Sequence, residues 1–454
     1  MQDELAIGGT ELTGRLVFPD SPDYERARLG WARQFSRFPL VIVFCQNAQD
    51  VVNAISWCRE NDVAFRARSG RHALEGWSSL DGGVIIDVSE MNGIDVDEDA
   101  GVATVQTGAT QGAVVEALGK LGYTIPSGGE GTPGIGGVTL GGGIGWLSRS
   151  MGLVCDHLVG LEMVIPSGEQ GASVVQADES QNADLLWASR GGGGGNFGIA
   201  TSYTFRLVPI STVAFYEVTW GEQDWQLLDE LLGVWQELAP SAPDELGSVF
   251  FASSKAEGTI TTYGVLDGSE EQLRQMLQPL LEVGEPEVTI ETLPYLDAWL
   301  RIAATPEDDP PRKDKFSSVW VYESLPPEGI GTVRRFLEDA PNPTADIWCL
   351  SWGGEVSRTP TDATAFYHRK PRYYIEWDIS WEEDEEGSEV FAWTEQFRLA
   401  MAPYAEGSYI NVPDSSINDL GTYYGDNLAR LREVKSKYDP ENVFHFEQSI
   451  PPAG

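Results

Sequence analysis

The sequence predicts an α+β protein built in two parts, on three observations. From Phe38 onward short apolar strands alternate with amphipathic helices; two glycine-rich clusters, at 128–145 and 191–198, interrupt this first half; and beyond about Val213 glycine thins out while amphipathic helices stand between strand-like runs. A chain of 454 residues exceeds what one hydrophobic core organises, so two domains are expected.

The elements follow in order. F-P-L-V-I-V-F-C, from Phe38, reads as a short buried strand. N-A-Q-D-V-V-N-A-I-S-W-C-R-E-N reads as a helix capped by Asn47, with Val51, Ile55 and Cys58 on one face. V-A-F-R-A-R is a second strand and R-S-G-R-H (68–72) a tight turn. G-G-V-I-I-D-V-S is a buried strand, G-V-A-T-V-Q-T-G an alternating one, and T-Q-G-A-V-V-E-A-L-G-K-L-G an amphipathic helix. Residues 128–145 hold too much glycine to be one regular element. A-D-L-L-W-A-S-R reads as a helix, the glycine run 191–198 follows it, and I-A-T-S-Y-T-F-R-L is an alternating strand. A boundary falls near residue 210. Beyond it, D-W-Q-L-L-D-E-L-L-G-V-W and E-E-Q-L-R-Q-M-L-Q-P-L-L are amphipathic helices and I-T-T-Y-G-V is a strand. P-E-D-D-P-P-R-K-D-K (306–315) reads as a surface loop, and W-E-E-D-E-E-G-S-E (381–389) as a solvated turn or helix start.

Charge excludes whole classes of function. Seventy acidic against thirty basic residues give a net charge of −40, so no basic surface is available for nucleic acid. A self-repelling acidic surface suits concentrated salt, where the Debye length falls to about 3 Å at 1 M, and a halophile's cytosol is the expected setting. Cys45, Cys58, Cys155 and Cys349 form no C-x-x-C pair, which predicts neither a metal site nor a disulfide framework. M-Q-D-E-L-A-I-G-G carries no basic or apolar leader, and no run reaches a membrane span, so a cytoplasmic protein is expected.

The glycine clusters invite a nucleotide reading. A P-loop fails because neither cluster is followed by G-K-S or G-K-T. A dinucleotide fold of the Rossmann type needs strand, glycine turn, then helix, whereas a helix precedes 191–198 and a strand follows it. Glycine nevertheless lets backbone N–H groups approach an anion closely. Three such loops, 68–72, 128–145 and 191–198, point to an extended ligand with a diphosphate, held largely by main chain.

Taken together, R-S-G-R-H-A-L-E-G-W, G-G-V-I-I-D-V-S-E-M-N-G-I, V-Q-T-G-A-T-Q-G, G-I-G-G-V-T-L-G-G-G-I-G-W-L-S-R-S-M-G-L-V-C-D-H-L and D-L-L-W-A-S-R-G-G-G-G-G-N-F-G-I closely resemble the FAD-binding domain of the vanillyl-alcohol-oxidase (PCMH) type, in its berberine-bridge-enzyme-like branch. The segment from Y-Y-G-D-N-L to F-H-F-E-Q-S-I-P-P is similar to the closing segment of that branch. The resemblance implies a leading segment over 1–34, an FAD-binding domain over 35–211, a substrate domain over 212–404 with an antiparallel sheet covered by helices, and a C-terminal segment, 405–454, that returns to the FAD domain.

The same resemblance implies the site. His72 holds the position of the histidine that carries the flavin 8α-methyl carbon covalently, and a neutral imidazole nitrogen is a competent nucleophile for that bond. Where many relatives attach FAD a second time through cysteine, this chain has Glu130, so single attachment is implied, as in the mono-covalent members that include 6-hydroxynicotine oxidase; Val138 replaces a histidine that often follows the G-G. Arg68, Ser69, Gly70 and Arg71 are the implied diphosphate turn, supported by Gly136, Gly137 and the backbone of Gly141, Gly142 and Gly143. Asn196 and Gly198 are expected to approach the flavin or its phosphates, and Asn411 and Asn442 to contact the flavin or its loops. Tyr409 is the candidate catalytic base, with Val412 where many relatives carry a second tyrosine. Glu376 and Asp378 alternate on a strand and share a face; as surface acids they read first as a salt-bridged or solvated pair, with service to a substrate as the alternative. His368 has no evident partner, and Cys155 reads as a small buried residue.

The implied activity is an FAD-dependent oxidoreductase that abstracts hydride from a C–H next to a hydroxyl, on a sugar or other small-molecule alcohol, with O2 or another acceptor reoxidising the flavin. An amine oxidase and a non-catalytic flavin-binding protein are the alternatives.

Overall fold

The computed structural model describes residues 9–303 and 310–454. Residues 1–8 of the leading segment and 306–309 of the expected 306–315 loop lie outside the described residues.

The first half is built on two sheets. One has four strands in the order Arg15–Val17, Val41–Phe44, Val84–Asp87 and Phe65–Arg68; the last three run parallel and the first is antiparallel to its neighbour. Val41–Phe44 and Val84–Asp87 are buried at every position, as unbroken apolar runs require when both faces of a parallel sheet are covered. The helix Ala48–Glu60 covers one face with Val51, Ile55 and Cys58, and Asn47 caps it by accepting the Asp50 N–H at 3.1 Å. The second sheet is antiparallel, in the order Ile94–Asp97, Val102–Gln106, Ile199–Arg206, Leu158–Ser167 and Gly171–Asp178. Its core takes Leu185 and Leu186 of helix Ala183–Ser189 and Leu431, Val434 and Tyr438 of helix Asn427–Tyr438. The last stretch of chain thus folds back onto the first half.

The intervening region forms a seven-stranded antiparallel sheet in the order Glu287–Pro294, Thr212–Trp220, Ile260–Leu266, Leu246–Ser253, Asp346–Ser351, Tyr373–Trp381 and Lys313–Val321. Four helices, Leu228–Leu238, Glu270–Leu281, Pro327–Glu338 and Gly387–Met401, cover one face. The run expected as a solvated turn or helix start leads into the last of these through a 3₁₀ turn at Asp384–Glu386. Strand Tyr373–Trp381 shows how the sheet divides its side chains. Tyr373, Ile375, Trp377 and Ile379 enter the helix-covered core, each large apolar side chain contributing roughly 1.5–3 kcal/mol of burial. Tyr374, Glu376 and Asp378 therefore take the opposite face, toward the first half.

Candidate active site

That opposite face closes a cavity of about 620 Å³ against the first half. Three glycine-bearing loops line one side, Phe316, Trp348, Glu376 and Asp378 line the other, and Tyr409–Pro413 and Phe444–Phe446 of the C-terminal segment complete the wall.

Ten of the anticipated ligand-binding residues, together with Tyr409 and Asn411, face this cavity; Gly141, Gly142 and Asn442 do not. A Cβ at Gly141 would lie 1.9 Å from Asn411 Oδ1, and one at Gly142 would lie 2.7 Å from the Phe366 ring, so both glycines serve close packing behind the wall. Asn442 adopts a left-handed backbone (φ 54°) in the turn after helix Asn427–Tyr438, where its N–H donates to the Asp439 carbonyl at 3.1 Å.

The turn 68–72 reaches the cavity through its backbone, and its arginines are held elsewhere. Arg68 is buried and donates from Nε to Asp87 at 2.5 Å and from Nη2 to the Ala27 carbonyl at 2.7 Å. Arg71, at φ 65°, places its Nε 3.8 Å from the same carboxylate. Ser69 donates to the Thr107 carbonyl at 2.7 Å. A Cβ on Gly70 would lie 2.0 Å from the Gly134 nitrogen, so the turn and the second glycine loop meet backbone to backbone. Gly137 is the contrast: a Cβ there would meet nothing within 4 Å, which leaves the main chain of that loop open to a ligand.

His72 is fixed on three sides. Its ring stacks on Trp31 at 5.3 Å between centroids, Nε2 lies 2.8 Å from the Thr132 hydroxyl, and Arg312, its guanidinium 4.9 Å from the Trp31 ring centre, is close enough to repel a proton. Burial, aided by Arg312, lowers the His72 pKa to about 4, which keeps the imidazole neutral near pH 7. Neither Trp31, Thr132 nor Arg312 carries a sequence signal toward His72; they come from three different segments.

Tyr409 is buried, and its phenol oxygen accepts the Gly143 N–H at 2.9 Å and the Asn411 Nδ2 at 2.9 Å. Burial pushes its pKa up, against the opposing pull of those two donors. Asn411 also donates to the Val138 carbonyl at 3.0 Å, tying the C-terminal segment to the second glycine loop. Asn196 donates to the Gly192 carbonyl at 3.1 Å and accepts the Ile450 N–H at 2.8 Å, which shapes the third loop.

Glu376 and Asp378 correct their first reading as a salt-bridged or solvated surface pair. Both face the cavity, beside Asp346, which lies directly across the sheet from Asp378. Alternation gave the shared face but could not say that this face is the interior one. Burial pushes Glu376 up to about 8, while Tyr374 donates to its Oε2 at 2.8 Å. Burial raises Asp378 and Asp346 as well; the Asp346 carboxylate pushes Asp378 up further, while a hydrogen bond with Asp378 opposes the rise at Asp346, so Asp378 retains the proton. His368 also gains partners, Tyr322 at Nδ1 (3.0 Å) and the Thr422 carbonyl at Nε2 (3.0 Å), in a stack on Trp320. Cys155 is buried. Among the described residues no cluster suited to a metal ion occurs, and no helix is long and apolar enough to cross a membrane.

Comparison with known proteins matches the FAD binding domain family over residues 39–171 and the berberine and berberine-like family over 408–451. The FAD-linked oxidoreductase YvdP of Bacillus subtilis (strain 168) is 46% identical over 455 residues, covering 98% of this chain and all of that one. Among solved structures, wild-type BBE-like 1 of Physcomitrella patens superposes with a TM-score of 0.90 at 27% identity over the full length of both chains. A chitooligosaccharide oxidase superposes with a TM-score of 0.86 at 25% identity over 97% of this chain and 98% of that one. With two matched domains flanking the seven-stranded sheet, and a relative nearly half identical along its whole length, the chain belongs to the berberine-bridge-enzyme-like FAD-linked oxidoreductases.

Proposed function

We propose that this enzyme oxidises a hydroxylated small molecule, a sugar or related alcohol, by taking hydride from the C–H beside the hydroxyl onto FAD joined once, through His72. The observation that carries the reading is a neutral, ring-stacked His72 on the same cavity wall as the open glycine loops, facing a carboxyl group with a pKa of about 8. The residues present fit FAD: the main chain around Gly137 is open to an anionic ligand, the aromatic side chains Trp31, Phe316 and Trp348 suit a flat one, and His72 supplies a nitrogen nucleophile. When bound, the flavin supplies the two-electron acceptor, with O2 as the terminal oxidant.

The protein supplies orientation and a proton acceptor. Glu376, as carboxylate, takes the hydroxyl proton as the C–H bond breaks, and Tyr374 steers its Oε2. Tyr409 is the weaker base, because its oxygen already accepts two N–H groups and its pKa is raised; its part is to hold Gly143 and Asn411 in the wall. Glu130, where a second attachment would stand, offers no thiol, which supports a single link. The chitooligosaccharide oxidase is the relative whose name favours a sugar.

Oxidation beside an amine nitrogen is the second reading, favoured by the cavity carboxyls Glu376, Asp378 and Asp346. Mass spectrometry of acid-denatured protein, with peptide mapping, tests the cofactor: one FAD added on the peptide holding His72 is expected, and an unmodified chain after expression with ample flavin and salt overturns the covalent reading. A panel of sugars, alcohols and amines, scored by flavin bleaching, then separates the two substrate classes.

A further inference from the structure

We infer that Thr132 is a positioning residue for covalent cofactor attachment, its hydroxyl oxygen holding the His72 proton on Nε2 so that Nδ1 presents the lone pair. The inference rests on the reading of His72 above. It starts from the 2.8 Å contact between Thr132 Oγ1 and His72 Nε2. A threonine hydroxyl can donate or accept there, and the two cases place the imidazole proton on different nitrogens. No hydrogen bond to Nδ1 occurs among the described residues. If Thr132 accepts from Nε2–H, the open nitrogen is the nucleophilic one. If it donates, the open nitrogen carries a proton and cannot attack.

The surroundings make the contact a fixed one. Gly70 and Gly134, two residues from His72 and Thr132 respectively, meet with no room for a Cβ on either, so the two loops cannot slide past each other. Trp31 sets the ring plane at 26° to its own, and its backbone N–H donates to the Arg71 carbonyl at 2.9 Å, which anchors the stack to the same turn. With the plane set by Trp31, the remaining freedom is the half-turn of the ring about Cβ–Cγ, which exchanges Nδ1 with Cδ2 and Nε2 with Cε1. Thr132 removes that freedom. The positive field of Arg312 meanwhile opposes protonation of the second nitrogen. Thr132 also lines a smaller hollow behind the turn, beside Ser89, Asn92 and Thr110, so its hydroxyl hydrogen has a polar outlet when the oxygen is accepting.

The step balances as follows. A bond forms between His72 Nδ1 and the 8α carbon of the flavin, one C–H bond of that methyl group breaks, and its proton leaves to solvent. The electron pair of that C–H bond passes to the flavin ring system, from which O2 removes two electrons and, with two protons from solvent that balance the methyl proton and the Nε2 proton finally released, becomes hydrogen peroxide. The imidazole gains positive charge as the new bond forms, and the Nε2–H to Thr132 hydrogen bond strengthens with it. An interaction that grows along the reaction accelerates it.

The experiment follows covalent incorporation into protein made flavin-poor and then supplied with FAD, by intact mass in denaturant, for wild type, Thr132→Ala, Thr132→Ser and His72→Ala. Noncovalent FAD binding is measured on each by protein fluorescence quenching. Thr132→Ala is expected to bind FAD as wild type does yet to attach it about tenfold or more slowly, the equivalent of one charge-assisted hydrogen bond. Thr132→Ser is expected to restore the wild-type rate. Wild-type attachment in Thr132→Ala, or failure of Thr132→Ser to recover where its FAD binding is intact, overturns the role of Thr132. Should Thr132→Ala fail to bind FAD, Thr132→Ser against Thr132→Cys, of similar size with a weak acceptor, reads the same bond; equal attachment in those two overturns it. An unmodified wild type, or a modified His72→Ala, instead refutes the reading of His72 itself.

Discussion

Lys315, on the edge strand of the seven-stranded sheet, forms an ion pair with Glu75, three residues beyond His72 and the turn 68–72 of the other half. The same ammonium reaches Asp414 at 3.1 Å, and Ser317 donates to Asp414 at 2.6 Å. All three charged groups are buried, so one cation joins the FAD-binding half, the seven-stranded sheet and the C-terminal segment.

Lys315→Met strands the buried Glu75 carboxylate and leaves Asp414 with Arg398 at 3.6 Å as its remaining cation, and a loss of about 3–5 kcal/mol is expected, since breaking a buried pair from one side leaves an uncompensated charge. Denaturant unfolding measures it. Because Glu75 also accepts the Ser415 N–H at 3.1 Å, the C-terminal segment should loosen too, and FAD content per chain should fall.

The activity should rise with pH. Glu376 works as a base only when ionised, and its pKa is raised to about 8, so kcat/KM is expected to climb as pH increases through that value. Glu376→Gln should lower kcat/KM by roughly 10²–10⁴ and abolish the pH step. Tyr409→Phe should keep the step while costing about 1–3 kcal/mol of stability, because the Gly143 and Asn411 N–H groups lose their acceptor. A pH step that survives Glu376→Gln and vanishes in Tyr409→Phe would return the base role to Tyr409.

The cavity carboxyls also set the stability of the flavin-free protein. Their folded-state pKa values exceed the unfolded ones, so between about pH 4.5 and 8 the folded state binds more protons than the unfolded state. Their contribution is therefore present at low pH and is lost as pH rises through the folded values. Asp378→Asn should flatten the fall in melting temperature between pH 5.5 and 8.5.

Salt should stabilise this chain. A net charge of −40 repels itself, and screening relieves that repulsion. The urea midpoint is expected to rise from low to molar KCl; a flat or falling midpoint refutes the halophile reading.

Much of this was legible in the sequence, for identifiable reasons. Local pattern specifies strand Val41–Phe44 and the Asn47-capped helix, since apolar run and cap lie within a few residues of each other. His72, Gly137 and Asn196 were legible because their motifs are short and contiguous. What stayed hidden depends on neighbours distant in the chain. The Arg68 guanidinium reads as a phosphate ligand until Asp87 and the Ala27 carbonyl are seen to hold it. Glu376 reads as a surface acid because period-two alternation is the same whether the far side of the sheet is water or another domain. Thr132 and Trp31, the residues that orient His72, lie 60 and 41 positions from it with nothing in their own context to mark them.

The C-terminal segment supplies more than a stretch of cavity wall. Lys435, wholly buried in helix Asn427–Tyr438, donates to the Asn196 carbonyl at 2.6 Å and pairs with Asp439 at 2.6 Å, while Tyr409 and Asn411 brace the second glycine loop from the same segment. The third glycine loop is therefore shaped by residues synthesised some 240 positions after it. On the ribosome, the first half emerges with its flavin-facing loops unbraced, and it stays so until helix Asn427–Tyr438 has left the exit tunnel. Cofactor capture is therefore expected to wait for the C-terminal segment, since a nascent chain stalled within the seven-stranded sheet has the glycines of all three loops without the residues that brace them.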